Sequence, residues 1–216
     1  MTPCLKRSLA AALALLLVSL SGCASASSHH LQQTLSDILQ VRLAASDEGG
    51  VGPVALSDEG EALLRALGLE GDALILSFRM PEGAAGLSLN VYRLEDGAWT
   101  LCDGGGLTWD GDAAQAEGTA SLRVREDGGL ALHLRVDGAS ASYSAQAGPE
   151  DAFTSSTQGF LQDFVPARAG DEIPVAFWVR DAGTAMRSYA LDDFADPAAF
   201  DGMDFVQFAT VAFEAP

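Results

Sequence analysis

Two neighbouring stretches of the chain, 118–126 and 130–137, alternate aliphatic with polar residues. This period of two is the spacing of a β-strand with one buried and one exposed face. The aliphatic positions are Ala120, Leu122, Val124, Leu130, Leu132, Leu134 and Val136. The intervening Asp127-Gly128-Gly129 predicts a hairpin with a three-residue loop. The register expected from that loop pairs Glu126 with Leu130, Val124 with Leu132, Leu122 with Leu134 and Arg123 with His133.

From Ala73 onward, similar stretches are separated by Gly, Pro and Asp at intervals typical of sandwiches and barrels. The predicted strands are 73–80, 86–95, 98–103, 118–126, 130–137, 139–146, 159–165, 172–181 and 204–214. The last stretch has apolar residues in both alternation phases, so we expect a central strand that is covered on both faces. The pattern predicts an all-β fold, a single β-sandwich of about eight or nine mostly antiparallel strands.

One or two short helices are expected before the first strand. Residues 31–45 fit both helical spacing and strand alternation, and we favour a helix that ends near Gly49 and Gly50. Ser57 is typical of an N-cap for a second helix, and Gly68 of its end. No linker divides residues 31–216, so we expect one domain there.

The first 22 residues are typical of a secretory signal peptide. Lys6-Arg7 precedes the apolar run 9–20, which is shorter than the roughly 20 residues of a membrane span. The run ends in Leu20-Ser21-Gly22-Cys23, which resembles the lipobox of bacterial lipoproteins. The resemblance implies cleavage between Gly22 and Cys23 and a diacylglyceryl group on the Cys23 thiol. The alternative is an ordinary signal peptide with a chance cysteine.

Residues 23–30 would then be the lipidated cysteine and a short polar tether. Two acyl chains give stable anchoring, so the expected location is the cell envelope. The membrane would be the outer face of the cytoplasmic membrane, or an outer membrane if the host has one.

The chain is strongly acidic, with 12 basic and 30 acidic residues and a net charge of −18. Removal of Lys6 and Arg7 with the leader would bring the net charge to −20, since no acidic residue precedes Cys23. Such a body repels nucleic acid and anionic lipid headgroups, so neither is an expected partner. The expected contact with the membrane is the lipid on Cys23.

The residues needed for most catalytic centres are scarce. His29 and His30 fall in the tether, which leaves His133 and Cys102 as the histidine and the cysteine of the body. A His/Cys zinc site is therefore excluded, and a catalytic triad would have to use His133, which we interpret as a solvated strand residue. We expect Cys102 in the core, since free cysteine is usually buried. We predict no enzymatic activity, although the many carboxylates leave a glycosidase-type acid pair open.

Two acidic loops contain possible calcium ligands. The first holds Asp103, Asp110 and Asp112, and the second lies within 192–204. Calcium binds six to eight oxygen ligands, but neither loop has the spacing of an EF-hand. We interpret these residues as solvated turn acids and predict no cofactor, with calcium as the alternative.

Two features indicate a ligand-binding surface. Trp109, in a Gly/Asp-rich loop, is a candidate exposed platform for sugar rings. A basic cluster for an acidic ligand is predicted on the outer face of the hairpin; its members are Arg123, Arg125, His133 and Arg135. The alternative for this cluster is neutralisation by acidic residues of the next strand or loop.

The body from about Ser57 to the end also resembles small, functionally uncharacterised lipoproteins of Clostridia-type Firmicutes. The segments that carry this resemblance are Val91-Tyr92-Arg93-Leu94-Glu95-Asp96-Gly97-Ala98-Trp99, Glu172-Ile173-Pro174-Val175, Arg187-Ser188-Tyr189 and Asp204-Phe205-Val206-Gln207-Phe208-Ala209-Thr210-Val211-Ala212-Phe213. The resemblance implies a lipobox, an exported β-rich body and no catalytic residues.

Three functions fit these features. The first is a non-enzymatic envelope lipoprotein that binds a ligand or another envelope component. The second is a carbohydrate-active protein, either a binding module or a carboxylate glycosidase. The third is an accessory subunit of an envelope assembly, which would expose an apolar patch.

Overall fold

A computed structural model describes residues 48–109, 116–125, 129–136, 139–145, 153–183 and 187–216. These residues belong to two compact units. The larger unit, Val41–Ala55 with Leu64–Pro216, contains every described strand, and Leu56–Leu63 belongs to the smaller. The predicted leader, the tether and the predicted helix within 31–45 lie outside the described residues, so these stay predictions, as does the single domain.

The described residues form eleven strands and three short helices. The strands are β1 (Gly50–Pro53), β2 (Ala73–Arg79), β3 (Gly86–Glu95), β4 (Ala98–Thr108), β5 (Glu117–Val124), β6 (Leu130–Val136), β7 (Ala139–Ala145), β8 (Ser155–Phe160), β9 (Val165–Pro166), β10 (Glu172–Asp181) and β11 (Phe205–Glu214). Helix α1 is Asp58–Ala66, and two 3₁₀ helices are Leu191–Ala195 and Pro197–Phe200.

Two antiparallel sheets pack together as a β-sandwich, as predicted. Sheet I has six strands in the order β7-β6-β5-β2-β1-β9, and sheet II has five in the order β4-β3-β11-β10-β8. The main hydrophobic core lies between them and includes Leu76 and Leu132 from sheet I and Leu89 and Val211 from sheet II. Strand β11 is central in sheet II and almost wholly buried, which confirms the expectation from its two apolar phases.

The strand count is higher than predicted because two very short strands have no alternation to reveal them. Strand β1 is Gly-Val-Gly-Pro, and β9 has two residues. The predicted strand 159–165 is wrong in its bounds, since β8 ends at Phe160 and the chain then crosses to sheet I as β9. Strand β8 is rich in Ser, Thr and Gln and lacks aliphatic residues that would mark its start.

The hairpin β5–β6 has the predicted buried face but a different register. Val124 pairs with Leu130, and Leu122 pairs with Leu132, so the predicted pairing of Glu126 with Leu130 is wrong by two residues. A shift of two residues leaves every side chain on its own face, so the aliphatic pattern fits both registers equally well. The longer turn decides between them, because the N–H of Arg125 donates to the carbonyl of Gly129 at 2.8 Å.

Helix α1 begins and ends where predicted. The Ser57 hydroxyl accepts a hydrogen bond from the Gly60 N–H at 3.2 Å, which is the bond of an N-cap. Gly68 follows the helix with a φ of 67°, and the N–H of Leu69 donates to the carbonyl of Leu64 at 2.9 Å. A left-handed glycine after the last turn is a common way to end a helix. Among the described residues, no helix is long and apolar enough to cross a membrane.

Candidate functional site

Several predicted site residues lie outside the described part of the chain. Gly22 and Cys23 are among them, as are Asp110 and Asp112. Asp103 lies in β4, where its carboxylate accepts a hydrogen bond from the N–H of Gly104 at 2.8 Å. Among the described residues, no three His, Cys, Asp or Glu side chains are grouped so as to hold a metal ion. The calcium alternative at the first acidic loop stays a prediction.

In the second acidic loop, two carboxylates accept hydrogen bonds from the backbone. Asp193 accepts from the N–H of Ala190, and Asp204 accepts from the N–H of Ala182, each at 2.8 Å. Carboxylates of this kind commonly stabilise turns and short helix starts. These two acids therefore stabilise turns of the backbone, and the calcium alternative at this loop stays a prediction.

Two single residues differ from their predicted environments. Trp109 is partly buried and packs against the main core, so it is not an exposed platform. Its backbone N–H donates a hydrogen bond to the carbonyl of Ala85 at 2.9 Å, which continues the strand pairing beyond the end of β4. Cys102 is exposed, not buried. Val91 pairs with Asp103 and Tyr92 with Leu101, which leaves Cys102 as the extra residue of a β-bulge. A bulge places one residue outside the ladder, and this overrides the usual burial of cysteine.

The basic cluster is partly assembled on the outer face of sheet I. Arg123, His133 and Arg135 are exposed there, whereas Arg125 is partly buried beyond the end of β5. His133 is not opposite Arg123 as predicted; it pairs with Ser121 on one side and Ser142 on the other. The His133 Nδ1 atom lies 2.8 Å from the Ser142 hydroxyl. The two-residue change in hairpin register accounts for this correction.

Arg123 and Arg125 are brought together at an open concavity of about 530 Å³. Its other lining residues are Leu67, Gly68, Leu69, Asp72 and Val124. The backbone N–H of Val124 donates a hydrogen bond to the carbonyl of Asp72 at 2.9 Å. This bond holds the backbone at Asp72 beside the end of β5, which carries Arg123. Small-molecule sites are typically concavities of about 300–1,000 Å³ with an apolar lining and few polar groups. This concavity has that size, but its lining is more polar than is typical, since the apolar Leu67, Leu69 and Val124 are matched by the charged Asp72, Arg123 and Arg125.

A second arrangement of polar side chains, which was not predicted from the sequence, lies on the outer face of sheet II. Glu172, on β10, accepts hydrogen bonds from Asn90 Nδ2 at 2.9 Å, Tyr92 OH at 3.2 Å and Thr210 Oγ1 at 2.6 Å. Burial raises the pKa of Tyr92 above its ordinary value, and the hydrogen bond and the charge of Glu172 add to the rise. The phenol therefore remains a hydrogen-bond donor to Glu172 at physiological pH.

A second carboxylate shares this face. Glu214, on β11, accepts a hydrogen bond from the Ser88 hydroxyl. The register partner of Glu172 is Ala212, two residues before Glu214 on the same strand, so the two glutamates occupy diagonal positions. Diagonal positions of this kind lie about 7–8 Å apart. Beside them, Gly104 and Gly106 of the edge strand β4 carry no side chain that could cover the face. We name Ser88, Asn90, Tyr92, Glu172, Thr210 and Glu214 the polar face.

One signal for the polar face was present in β3. Ser88, Asn90 and Tyr92 alternate with aliphatic Leu87, Leu89 and Val91, which predicts a polar outer side. The pairing of β3 with β11, and of β11 with β10, brings Thr210 and Glu172 to that side. Such long-range pairings cannot be read from local periodicity.

These features define an all-β sandwich with a basic concavity on sheet I and a polar face on sheet II. Comparisons with family models, with curated proteins and with solved structures give no match to this chain.

Proposed function

We propose that this protein is an exported, lipid-anchored binding module whose concavity on sheet I takes an amphiphilic acid. The observation that carries the proposal is the presence of Arg123 and Arg125 on one concavity of a chain with a net charge of −18. Guanidinium groups match carboxylate and phosphate groups in geometry and charge. The acidic end of the ligand would face these arginines.

The apolar part of the ligand would contact Leu67, Leu69 and Val124, which line the same concavity. Asp72 repels a second acidic group on its side, so a ligand with one acidic end and one apolar end fits best. Benzoate and phenyl phosphate are simple, soluble probes of this class.

Thermal unfolding of the purified full chain tests the proposal. Either probe at 100 times its Kd is expected to add about 2.7 kcal/mol of stability and to raise the Tm. Arg123→Gln should abolish the rise, whereas Arg135→Gln, exposed on the same sheet face but outside the concavity, should keep it. Loss of the rise in both variants, or its absence in the wild type, would contradict binding in the concavity.

Anchoring is the second part of the proposal, and Leu20-Ser21-Gly22-Cys23 supports it by its resemblance to a lipobox. Mass spectrometry of membrane-extracted protein should find an acylated Cys23. A Cys23→Ser variant should be released into the medium or periplasm, because the acyl chains supply the membrane affinity. Continued membrane association of that variant would refute the lipid anchor.

The polar face favours a second candidate function, carbohydrate binding. Glu172 and Asn90 offer acceptors and donors on an outer sheet face beside the glycines of β4, which suits a ligand rich in hydroxyl groups. A panel of neutral glycans separates the two candidates. Carbohydrate binding at the polar face predicts that a glycan raises the Tm of the wild type and of Arg123→Gln but not that of Glu172→Gln. If no glycan raises the Tm of the wild type, carbohydrate binding is rejected.

A further inference from the structure

A row of polar side chains crosses sheet II on the face that meets sheet I. Arg93 on β3 pairs with Gln207 on β11, and Gln207 pairs with Trp178 on β10. Direct partners in adjacent strands point to the same side of a sheet. Trp178 belongs to the main hydrophobic core, so this side is the interior of the sandwich.

Each of the three side chains has a buried donor atom with no hydrogen-bond partner: Arg93 Nε, Gln207 Nε2 and Trp178 Nε1. Gln207 is 2% exposed and Trp178 is 4% exposed. Guanidinium and indole groups have no acceptor atom, so the amide oxygen of Gln207, which lies between them in the row, is the one acceptor for three donors. Buried unpartnered donors are few in native proteins, so three of them at adjacent positions call for ordered water or a ligand that accepts hydrogen bonds.

This part of the interior is also positively charged. The guanidinium carbons of Arg93 and Arg180 lie 5.3 Å and 5.7 Å from the centroid of the Phe205 ring. Ion pairs elsewhere in the described residues join Arg65 to Glu70 and Arg79 to Glu117, and neither Arg93 nor Arg180 contacts a carboxylate there. A cation–π contact leaves the N–H groups of a guanidinium able to donate.

We propose that Arg93, Gln207 and Trp178 form an anion site inside the sandwich for a ligand rich in carboxylate or phosphoryl oxygens. Neighbouring strands lie about 4.8 Å apart, so the row extends over roughly 10 Å from β3 to β10. A sugar acid or a sugar phosphate, with acceptors along its length, matches that spacing better than a single compact ion. Arg180 adds positive charge, and none of these residues lines the concavity of Arg123 and Arg125 at the end of β5.

Thermal unfolding of the full chain with glucuronate or glucose 6-phosphate tests this site, against sodium chloride at equal ionic strength. Both acids are free of an apolar group, which distinguishes them from the probes for the concavity. The Tm should rise with at least one acid and not with chloride. Arg93→Gln should weaken the apparent affinity at least tenfold, whereas Arg135→Gln, which lies outside both sites, should leave it unchanged. An equal response of wild type and Arg93→Gln, or no response of the wild type to either acid, overturns the proposal.

Gln207→Met gives a second variant that preserves side-chain length and removes both polar atoms. Without the acids, it should unfold at a temperature equal to or above that of the wild type, because a buried unpartnered amide is removed. Its response to the acids should be lost or reduced at least tenfold. If Gln207→Met responds to the acids as fully as the wild type, the proposed site is wrong, whatever the Tm of the variant. If the variant in sodium chloride has a lower Tm than the wild type, the Gln207 amide was already hydrogen-bonded, which also counts against the site.

Discussion

Gly159 lies where strand β8 passes the ring of Phe177, its register partner on β10. Phe177 is buried in the second hydrophobic cluster, on the outer side of sheet II, with Val179, Val206, Phe200 and Phe208. A Cβ atom at position 159 would lie 2.6 Å from Cζ of Phe177, well inside van der Waals contact. The missing side chain therefore makes room for an aromatic ring in a closely packed cluster.

Gly159→Ala is expected to lower the free energy of unfolding by about 1–3 kcal/mol, because the cluster must shift to admit a methyl group. Ser156→Ala, at an exposed position of the same strand, should change it by less than about 0.5 kcal/mol. Urea denaturation measures both changes. Equal stability of Gly159→Ala and wild type would show that the ring moves aside without cost.

Tyr143 predicts a pH dependence of stability. Burial raises its pKa from 10.0 to about 12, and the nearby charge of Asp103 adds to the rise. The unfolded chain therefore loses the phenolic proton at a lower pH than the folded protein. The stability that Tyr143 contributes is complete below pH 10 and is lost as the pH rises through 12.

Tyr143→Phe should be less stable than wild type at pH 8, because the hydroxyl donates a hydrogen bond to the carbonyl of Gly105. Its stability should fall less steeply from pH 9 to 12, since the phenylalanine ring does not titrate. Urea midpoints at several pH values check this difference in slope. Parallel curves for the two proteins would mean that the other tyrosines dominate the alkaline titration.

At the scale of elements, the turn between β3 and β4 depends on two residues with positive φ. Glu95 pairs with Ala98, and the intervening Asp96 and Gly97 have φ values of 52° and 77°. Two successive left-handed residues form the turn type that matches the twist of a two-residue hairpin. Asp tolerates this conformation better than most residues, and Gly adopts it without steric cost.

Gly97→Ala should reduce the free energy of unfolding by about 1 kcal/mol or more, because alanine is strained at this φ. Asp96→Asn is the matched control and should be nearly neutral, since Asn also adopts the left-handed region. Chemical denaturation of both variants decides the matter. A nearly neutral Gly97→Ala would indicate that the hairpin rearranges to another turn.

The whole molecule carries a net charge of −18, and this excess of like charge acts against the compact state. Raising sodium chloride from about 10 mM to about 150 mM shortens the Debye length from roughly 30 Å to 8 Å and screens that repulsion. We expect the free energy of unfolding, measured in urea, to increase over this range. Choline chloride should have the same effect if screening is the cause, and a decrease with either salt would contradict it.

Much of the sandwich could be predicted from local pattern. The bounds of β3 and β10 agree with the predicted strands, and the aliphatic face of β5 and β6 is buried as expected. The cap at Ser57 and the stop at Gly68 are also correct. These features depend on residues close in sequence, where side-chain period, capping and turn chemistry act directly.

The remaining features depend on contacts between distant residues. The hairpin register, the exposed bulge position of Cys102 and the partial burial of Trp109 each follow from pairing that local alternation leaves open. The polar face exists because β10 and β11 lie beside β3, and the unpartnered donors of Arg93, Gln207 and Trp178 are neighbours for the same reason.

Sequence alone therefore determined the class of fold, the acidic character and the expected lipobox, because each is encoded in a short segment or in composition. Tertiary structure alone decided which polar residues meet, since strand order and register are selected by the packing of the entire core. Arg123 and Arg125 share a concavity, whereas His133 and Arg135 lie elsewhere on the sheet, for that physical reason.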